Sequence, residues 1–271
     1  MPIFYCSGIY VTNRQYLALV LYFWRFGIMN LILDIGNSFA KLAVYNGDSL
    51  VLCNRVNKTD LLQQAKQLKV QFPLVKSAII ASVGGVAVSD LETLKTMFNL
   101  LELNALVKLP FKNLYETPST LGVDRIALVS AAATQYPGKN VLVIDAGTCV
   151  TFDFINNEAV YLGGAISPGL QMRYKALNTF TEKLPLLNQS HPEGFIGTST
   201  NTSIHVGVVL GMAHELEGVI RRYKEEYKHL TVILTGGDAN FLSEQLKSSI
   251  FVNSNFLLEG LNFILKYNTN E

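Results

Sequence analysis

Two short segments of this 271-residue chain combine an aspartate, a glycine and a hydroxyl group at spacings that suit phosphate chemistry. They read Asp34-Ile35-Gly36-Asn37-Ser38 and Asp145-Ala146-Gly147-Thr148. Glycine lets the backbone approach a ligand closely, amide and hydroxyl groups contact phosphate oxygens, and a carboxylate holds a cation directly or through water. One such motif alone is typical of a plain turn. Two copies in matching settings, opposed across a cleft, predict a site that grips one polyphosphate from both sides.

A third glycine motif, Thr235-Gly236-Gly237, follows the apolar run Val232-Ile233-Leu234. A glycine pair at a strand end leaves room for a flat base or a ribose. Alone, this motif also indicates a simple turn. Together with the two Asp-x-Gly bends it predicts two phosphate-binding bends and an adenosine site.

The surroundings of the two Asp-x-Gly motifs match. Each motif follows an apolar run, at residues 31–33 and 141–144, and a second apolar run follows it, at residues 41–45 and 150–155. The second run ends in each case at a turn signal, Asn46-Gly47 or Asn156-Asn157. We therefore predict that each half opens with a β-hairpin whose tight bend carries the motif.

The remaining segments alternate between helical and strand patterns. Apolar spacing predicts helices over residues 58–68, 90–101, 124–135 and 203–228, and strands over residues 78–83 and 232–234. Alternating strands and helices predict an α/β fold. Two similar halves predict a duplicated fold, with residues 29–138 and 139–271 on the two sides of a ligand cleft.

Composition excludes several classes. With 49% hydrophobic and 16% charged residues, the chain can form a large core. Its formal net charge of +1 gives no sign of the basic surface that nucleic-acid binding requires. Three separated cysteines and four histidines without metal-ligand spacing argue against a zinc site and favour a reducing, cytoplasmic setting. The sequence contains no GxxxxGK[ST], GxGxxG or GxSxG motif, which argues against P-loop, Rossmann and serine-hydrolase proteins.

Residues 1–28 form an N-terminal extension in which an apolar stretch, residues 15–24, precedes Arg25. The stretch is shorter than the roughly 20 residues of a membrane-spanning helix. Because Met29 directly precedes the first predicted strand, we expect Met29 to be the native start, and no stable membrane association. A signal peptide, a membrane anchor and an interfacial helix are the alternatives.

The order of the motifs resembles that of the type III pantothenate kinases, within the superfamily of acetate kinases, sugar kinases, Hsp70 and actin. The resemblance extends from about Met29 to the C-terminus. It includes the three motifs above and the segments Gly122-Val123-Asp124-Arg125, Gly163-Gly164-Ala165-Ile166-Ser167-Pro168-Gly169 and Thr200 with Ser203-Ile204 and Gly207. The implied fold is a duplicated ribonuclease H-like, actin-like ATPase fold with two similar halves around an ATP cleft.

The resemblance also implies a role for each matching residue. The loop from Asp34 to Lys41, which includes Gly36, Asn37 and Ser38, would bind the ATP phosphates, and Asp34 would lie near the Mg²⁺ ion. Thr148, Gly236 and Gly237 would also bind ATP. Asp145 binds a monovalent cation, K⁺ or NH₄⁺. Tyr115, Gly122, Val123, Asp124, Arg125 and Thr200 bind pantothenate, and Asp124 accepts the proton of its hydroxyl group. Family members are homodimers whose substrate site lies near the subunit interface.

The chemistry of these residue types agrees with the implied roles. Phosphoryl transfer requires neutralised phosphate charge and an attacking oxygen held in line, and the forked donors of Arg125 suit a substrate carboxylate. In the simpler alternative, Asp124 and Arg125 only open a helix, where the helix dipole favours an acid.

The implied activity is ATP-dependent phosphorylation of pantothenate, the first step of coenzyme A biosynthesis. The alternatives are a kinase for another small acid or sugar, and a regulatory relative without catalysis. Ser38 replaces the commoner threonine of the family. The run Thr198-Ser199-Thr200 replaces a Lys-Asn-Thr-like run, which leaves open which hydroxyl between residues 198 and 202 contacts the substrate.

Overall fold

The computed structural model of the chain describes residues 29–36, 39–104 and 106–269. The expectations for residues 1–28 therefore lie outside the described residues. The strands are β1 (Met29–Ile35), β2 (Phe39–Asn46), β3 (Ser49–Asn57), β4 (Ser77–Ser82), β5 (Asn99–Glu102), β6 (Lys112–Asn113), β7 (Val141–Ala146), β8 (Cys149–Ile155), β9 (Val160–Pro168), β10 (Thr231–Thr235) and β11 (Phe251–Val252). The helices are α1 (Leu61–Gln71), α2 (Val88–Met97), α3 (Val123–Gln135), α4 (Leu170–Thr179), α5 (Thr200–His205), α6 (Gly211–Glu226), α7 (Ala239–Ser243) and α8 (Phe256–Thr269).

The two sheets repeat one topology. The first has the order β3-β2-β1-β4-β5, and the second has the order β11-β10-β7-β8-β9-β6. Read from β9 to β11, the second sheet matches the first strand for strand, and β6 adds to its edge. In the first sheet, β3, β2 and β1 are antiparallel neighbours, and β4 and β5 run parallel to β1. In the second sheet, β9, β8 and β7 are antiparallel neighbours, and β10 and β11 run parallel to β7. The predicted hairpins are thus confirmed as β1–β2 and β7–β8.

Strands β1 and β7 are apolar along nearly their whole length because helices cover both of their faces. Leu31 and Leu33 pack into a core with α1 and α2, whereas Ile32 packs into a second core with α3 and α8. The aspartates interrupt this apolar pattern one residue before each strand ends. This position places both carboxylates at the carboxyl edge of a sheet, where α/β folds bind their ligands.

Helices α3 and α8 lie side by side and share a core with residues of both sheets. Gly260 makes the close approach possible, because a Cβ there would overlap the backbone carbonyl of Ala127. Asn262 of α8 accepts a hydrogen bond from Asn30 Nδ2 at 3.0 Å and donates one to the carbonyl of Gly47 at 2.9 Å. The C-terminal helix is thereby fixed to the first hairpin. The division of the chain at residue 138 stays a prediction.

Most predicted elements are confirmed, with two corrections. Residues 58–68 form a 3₁₀ turn and α1, and residues 124–135 form α3. Strand β10 covers its predicted run, and β4 covers the run 78–83 except for Val83. The helix predicted over 90–101 is wrong at its end, since α2 stops at Met97 and residues 99–102 form β5. Leu100 and Leu101 point to different cores, as successive strand residues do.

The helix predicted over 203–228 begins earlier and is not uniform. It runs from Thr200 to Glu226 and contains a π-helical turn at Val206–Leu210. With 27 residues, it is the one described helix that is long and apolar enough to resemble a membrane span. Its apolar side chains pack into the core of the second sheet, which identifies it as a core helix; they are Val208, Val209, Met212, Leu216 and Ile220.

Candidate active site

Four charged side chains from four elements lie within electrostatic reach of one another near the carboxyl ends of β1 and β7. Asp34 lies near the end of β1, Lys41 is its cross-strand partner in β2, Asp145 lies near the end of β7, and Asp124 lies in the first turn of α3. Burial raises the pKa of Asp34 to about 6, with Lys41 opposing the shift and Asp124 adding to it. Sites with such perturbed carboxylates are typical of catalytic clefts.

Asp145 is perturbed further. Burial raises its pKa to about 7, and the negative charges of Asp124, Asp34 and Asp153 add to the effect, while Lys41 opposes it. The carboxylates of this site therefore repel one another, and Lys41 offsets that repulsion only in part. A bound cation would relieve this repulsion.

The glycine motifs pack against one another next to Asp145. Gly236 has a φ of +95°, and a Cβ there would overlap both the Ala146 carbonyl and the Asp145 carboxylate. The N–H of Asp238 donates to the Ala146 carbonyl at 2.9 Å, and the N–H of Gly169 donates to the Thr148 carbonyl at 3.2 Å. The structure thus brings the second Asp-x-Gly bend, the Thr-Gly-Gly turn and the end of the Gly-Gly-x-Ile-x-Pro-Gly segment together.

Some predicted ATP-binding residues face open space. A Cβ at Gly237 would meet no atom within 4 Å, and the side chain of Thr148 is exposed. Gly36 closes the first bend by donating its N–H to the Phe39 carbonyl at 3.0 Å. Asn37 and Ser38 lie outside the described residues, so their predicted contacts with phosphate stay predictions.

The segment Gly122-Val123-Asp124-Arg125 forms the start of α3. Gly122 is the residue before the helix, and a Cβ there would overlap the Asp124 carboxylate. Asp124 Oδ1 accepts the backbone N–H of Arg125 at 2.8 Å. The helix terminus therefore holds the partly exposed Asp124 carboxylate in one orientation. This contact is compatible with a role of Asp124 at the helix start alone and with a catalytic role.

Arg125 points the other way, into the protein. Only 5% of it is exposed, and its Nε donates to Asp153 Oδ1 at 2.8 Å. The guanidinium lies over the ring of Tyr115, with Cζ 5.5 Å from the ring centroid, and Tyr115 stacks on Tyr161. Burial alone would lower the pKa of Arg125, but the Asp153 carboxylate and the hydroxyls of Tyr161 and Tyr115 raise it above its ordinary value.

Sequence reasoning missed Asp153 and Tyr161. Asp153 is fully buried, and its Oδ1 also accepts the Tyr161 hydroxyl at 2.7 Å. The signal in the sequence is a carboxylate between Phe152 and Phe154 in an otherwise apolar strand, since an ionisable group there requires buried partners. Those partners lie 8 and 28 residues away along the chain.

Thr200 is not brought to this cluster by any contact that the structure describes. It is exposed at the start of α5, beside a cap in which the Thr202 N–H donates to Ser199 Oγ at 3.2 Å. His205 accepts or donates a hydrogen bond with the Tyr174 hydroxyl through Nδ1 at 2.8 Å. The substrate role of Thr200 stays a prediction.

Among the described residues, no three His, Cys, Asp or Glu side chains lie close enough to hold a metal ion together. Burial is the main cause of the raised pKa of both Asp34 and Asp145, and the charge of Asp124 adds to it in each case.

Comparison with known proteins points to one family. The sequence profile of the family described as type III pantothenate kinase matches residues 30–222. A type III pantothenate kinase of Christiangramia forsetii is 52% identical over 241 residues, which cover 89% of this chain and 99% of the relative.

Solved structures agree on the fold. A protein described as a Baf family transcriptional activator, from Campylobacter jejuni, has a TM-score of 0.61 at 24% identity, covering 89% of this chain and all of the other. A glucokinase from an Antarctic psychrotroph has a TM-score of 0.51 at 13% identity, covering 89% of this chain and 99% of the other. These matches confirm the predicted actin-like fold, which sugar kinases share.

Proposed function

Because the chain belongs to the type III pantothenate kinase family, it is an ATP-dependent phosphotransferase of coenzyme A biosynthesis, and we propose that Asp124 is its catalytic base. Pantothenate is the acceptor, and its hydroxyl group receives the γ-phosphoryl group. The observation that supports the assignment of the site is the convergence of Asp34, Lys41, Asp124 and Asp145 on one cleft.

Asp124 is suited to orient the attacking hydroxyl. Its Oδ1 accepts the Arg125 N–H, so the carboxylate is held while part of it remains exposed to the cleft. In a loose phosphoryl-transfer transition state the proton leaves late, and a positioned carboxylate suffices to accept it. Gly122 and Val123 line this position on the same turn.

The ATP phosphates would lie between the two Asp-x-Gly bends. Lys41 is half-buried beside Asp34 and can neutralise phosphate charge, while Asp34 attracts the Mg²⁺ ion that ATP carries. When bound, Mg²⁺ neutralises charge on the phosphate oxygens. Gly36, Asn37, Ser38 and Thr148 would contribute amide and hydroxyl donors, and Gly236 and Gly237 would leave room for the adenosine.

Asp145 is proposed to hold a monovalent cation, K⁺ or NH₄⁺. Its carboxylate lies between like charges from Asp34, Asp124 and Asp153, and one added positive charge would stabilise its ionised form. The cation would also approach the phosphates, because Thr148 follows Asp145 in the same bend.

Arg125 and Tyr115 are proposed to bind the other end of the acceptor, its carboxylate. Arg125 Nη2 is buried and has no hydrogen-bond partner among the described residues, which leaves a donor for an anionic group. Thr200 is proposed to contact pantothenate as well.

We further propose a cytoplasmic homodimer. Exposed apolar side chains lie on β9 and on the helix α4 that follows it, with 44% of Leu162, 64% of Ile166 and 43% of Met172 accessible. A patch of this kind on β9 and α4 is suited to covering by a second copy of the chain.

The test of the site is turnover of ATP with pantothenate, with and without K⁺, for the wild type and for Asp124→Asn. We expect K⁺-dependent phosphopantothenate formation, and a fall in kcat of about 10²- to 10⁴-fold in the variant. The exposed Asp60 supplies the matched control Asp60→Asn. Undiminished kcat in Asp124→Asn would remove the base assignment, and equal turnover without K⁺ would remove the cation role of Asp145.

A further inference from the structure

The Asp153 carboxylate is a buried acceptor for three side chains. In addition to Arg125 Nε and the Tyr161 hydroxyl on Oδ1, the Thr151 hydroxyl donates to Oδ2 at 3.1 Å. Burial raises the pKa of Asp153, and these three donors oppose that rise. A carboxylate held by three donors is fixed in position and can fix its partners in turn.

The guanidinium that it holds is incompletely satisfied. Asp153 occupies the Nε edge of Arg125, but Nη2 is buried without a partner. A buried donor that lacks an acceptor costs about 1–3 kcal/mol, and more when it is charged. The buried Nη2 is therefore a donor that an anionic group of the acceptor can satisfy.

The aromatic side chains of the same cluster cover the guanidinium. Tyr115 and Tyr161 stack with centroids 6.2 Å apart and an interplanar angle of 21°. Gly163 lies beside the Tyr115 ring, and its φ of +107° is a backbone conformation that favours glycine. Tyr115 is half-buried on an irregular segment between β6 and α3, so it can give way to a ligand more readily than a strand residue can.

We infer that Asp153, braced by Tyr161, is a positioning residue that holds the Nε edge of Arg125 so that its remaining donors meet the carboxylate of the acceptor. The inference rests on the proposed role of Arg125 in acceptor binding. Asp153 touches neither ATP nor acceptor in this scheme; it acts through Arg125, in the way that buried partners orient the ligands of a metal.

The strand register links this cluster to the cation site. Thr151, which donates to Asp153, is the cross-strand partner of Asp145. Thr151 and Asp153 lie on the face of β8 turned towards α3, while Val150, Phe152 and Phe154 face the other core. Strand β8 therefore carries Asp153 and pairs directly with the strand that carries Asp145.

The test is steady-state kinetics of Asp153→Asn with two acceptors, pantothenate and an analogue in which a hydroxymethyl group replaces the carboxylate. We expect KM for pantothenate to rise about 10- to 100-fold, as for other orienting partners, with KM for ATP within about twofold of the wild type. KM for the uncharged analogue should change far less. Equal effects on both acceptors, or a loss of kcat alone, would assign Asp153 to the fold only.

A double-variant cycle separates this inference from the proposed site. Adding Asp153→Asn to Arg125→Gln should raise KM for pantothenate no further, because Asp153 acts through Arg125. If Arg125→Gln itself leaves that KM unchanged, the proposed carboxylate site is wrong. If Arg125→Gln raises it and Asp153→Asn does not, only the positioning role is wrong.

A milder variant keeps the test decisive if Asp153→Asn fails to fold. Tyr161→Phe removes one hydroxyl donor from Asp153 and should raise KM for pantothenate about 2- to 10-fold. The matched control is Tyr174→Phe, which removes a buried hydroxyl that bonds His205 instead. An unchanged KM in Tyr161→Phe, or the same change in both variants, would overturn the inference.

Discussion

Gly236 packs directly against the carboxylate of Asp145, with no space for a side chain between them. Asp145 is the last residue but one of β7, and Gly236 directly follows the neighbouring parallel strand β10, in which Thr235 is the register partner of Asp145. The Thr-Gly-Gly turn therefore both shapes the proposed adenosine site and restricts the volume around the proposed cation ligand.

Substitution Gly236→Ala should damage both the fold and ATP binding. Its φ of +95° disfavours any residue with a Cβ by about 1–3 kcal/mol, and the new methyl group would overlap the Ala146 carbonyl. Urea unfolding should show that loss in the free energy of unfolding, and KM for ATP should rise. Gly237→Ala is the stability control, since its Cβ would meet no atom. Equal stability of the two variants would contradict the close packing.

The sequence predicted the parts of this site that depend on local pattern. Strands β1 and β7 are recognisable because burial on both faces gives a continuous apolar run, and the aspartate that ends each run is then conspicuous. The short run Asn99–Leu101 was misassigned because a few apolar residues after a helix fit either continuation, and only pairing with β4 decides for a strand.

The partners of Arg125 were beyond local pattern. The prediction that its donors meet a substrate carboxylate did not anticipate Asp153, which lies 28 residues away and reaches Arg125 only after β8 joins its sheet. For Thr200, the sequence motif is recognisable but the contact partner is not. Its motif was found, but nothing in its neighbourhood along the chain indicates what the hydroxyl contacts.

Substitution Asp145→Asn should stabilise the unliganded protein at alkaline pH. The folded pKa of about 7 exceeds the ordinary 3.8, so the unfolded chain ionises this group first. The wild type therefore loses stability as pH rises from about 4 to 7, by up to about 4 kcal/mol, and does not regain it above pH 7. Asparagine removes that loss. Urea unfolding in cation-free buffer should give a gain at pH 8 that shrinks towards pH 4; a gain independent of pH would exclude this explanation.

Binding of MgATP should weaken in acid because Asp34 loses its charge. With a folded pKa of about 6, the Asp34 carboxylate is protonated as pH falls below that value, and the dissociation constant of MgATP should rise by up to about tenfold per pH unit. Asp34→Asn should bind weakly at every pH and show only the ligand's own titration. Titration calorimetry from pH 5 to 8 measures the dissociation constant of MgATP for the wild type and for Asp34→Asn. If that constant changes with pH in the same way in both proteins, Asp34 does not take part in the metal site.

Substitution Gly122→Ala should separate catalysis from stability. The backbone at Gly122 has φ −56° and ψ 135°, which alanine adopts without strain, and the atom that its Cβ would overlap is the movable end of the Asp124 side chain. The carboxylate can therefore swing away while the fold stays intact. Because a base displaced by about 1 Å loses about 10²-fold in rate, we expect a fall in kcat of that order and a change in the free energy of unfolding below about 1 kcal/mol.

The control for Gly122→Ala is Gly260→Ala, where the overlapped atom is the backbone carbonyl of Ala127 and no side chain can move aside. That variant should lose stability, because α3 and α8 must separate, and its folded fraction should keep the acceptor KM of the wild type. Active-site titration alongside urea unfolding distinguishes the two cases. A Gly122→Ala protein with wild-type kcat would show that the orientation of Asp124 in the unliganded chain is not the one used in phosphoryl transfer.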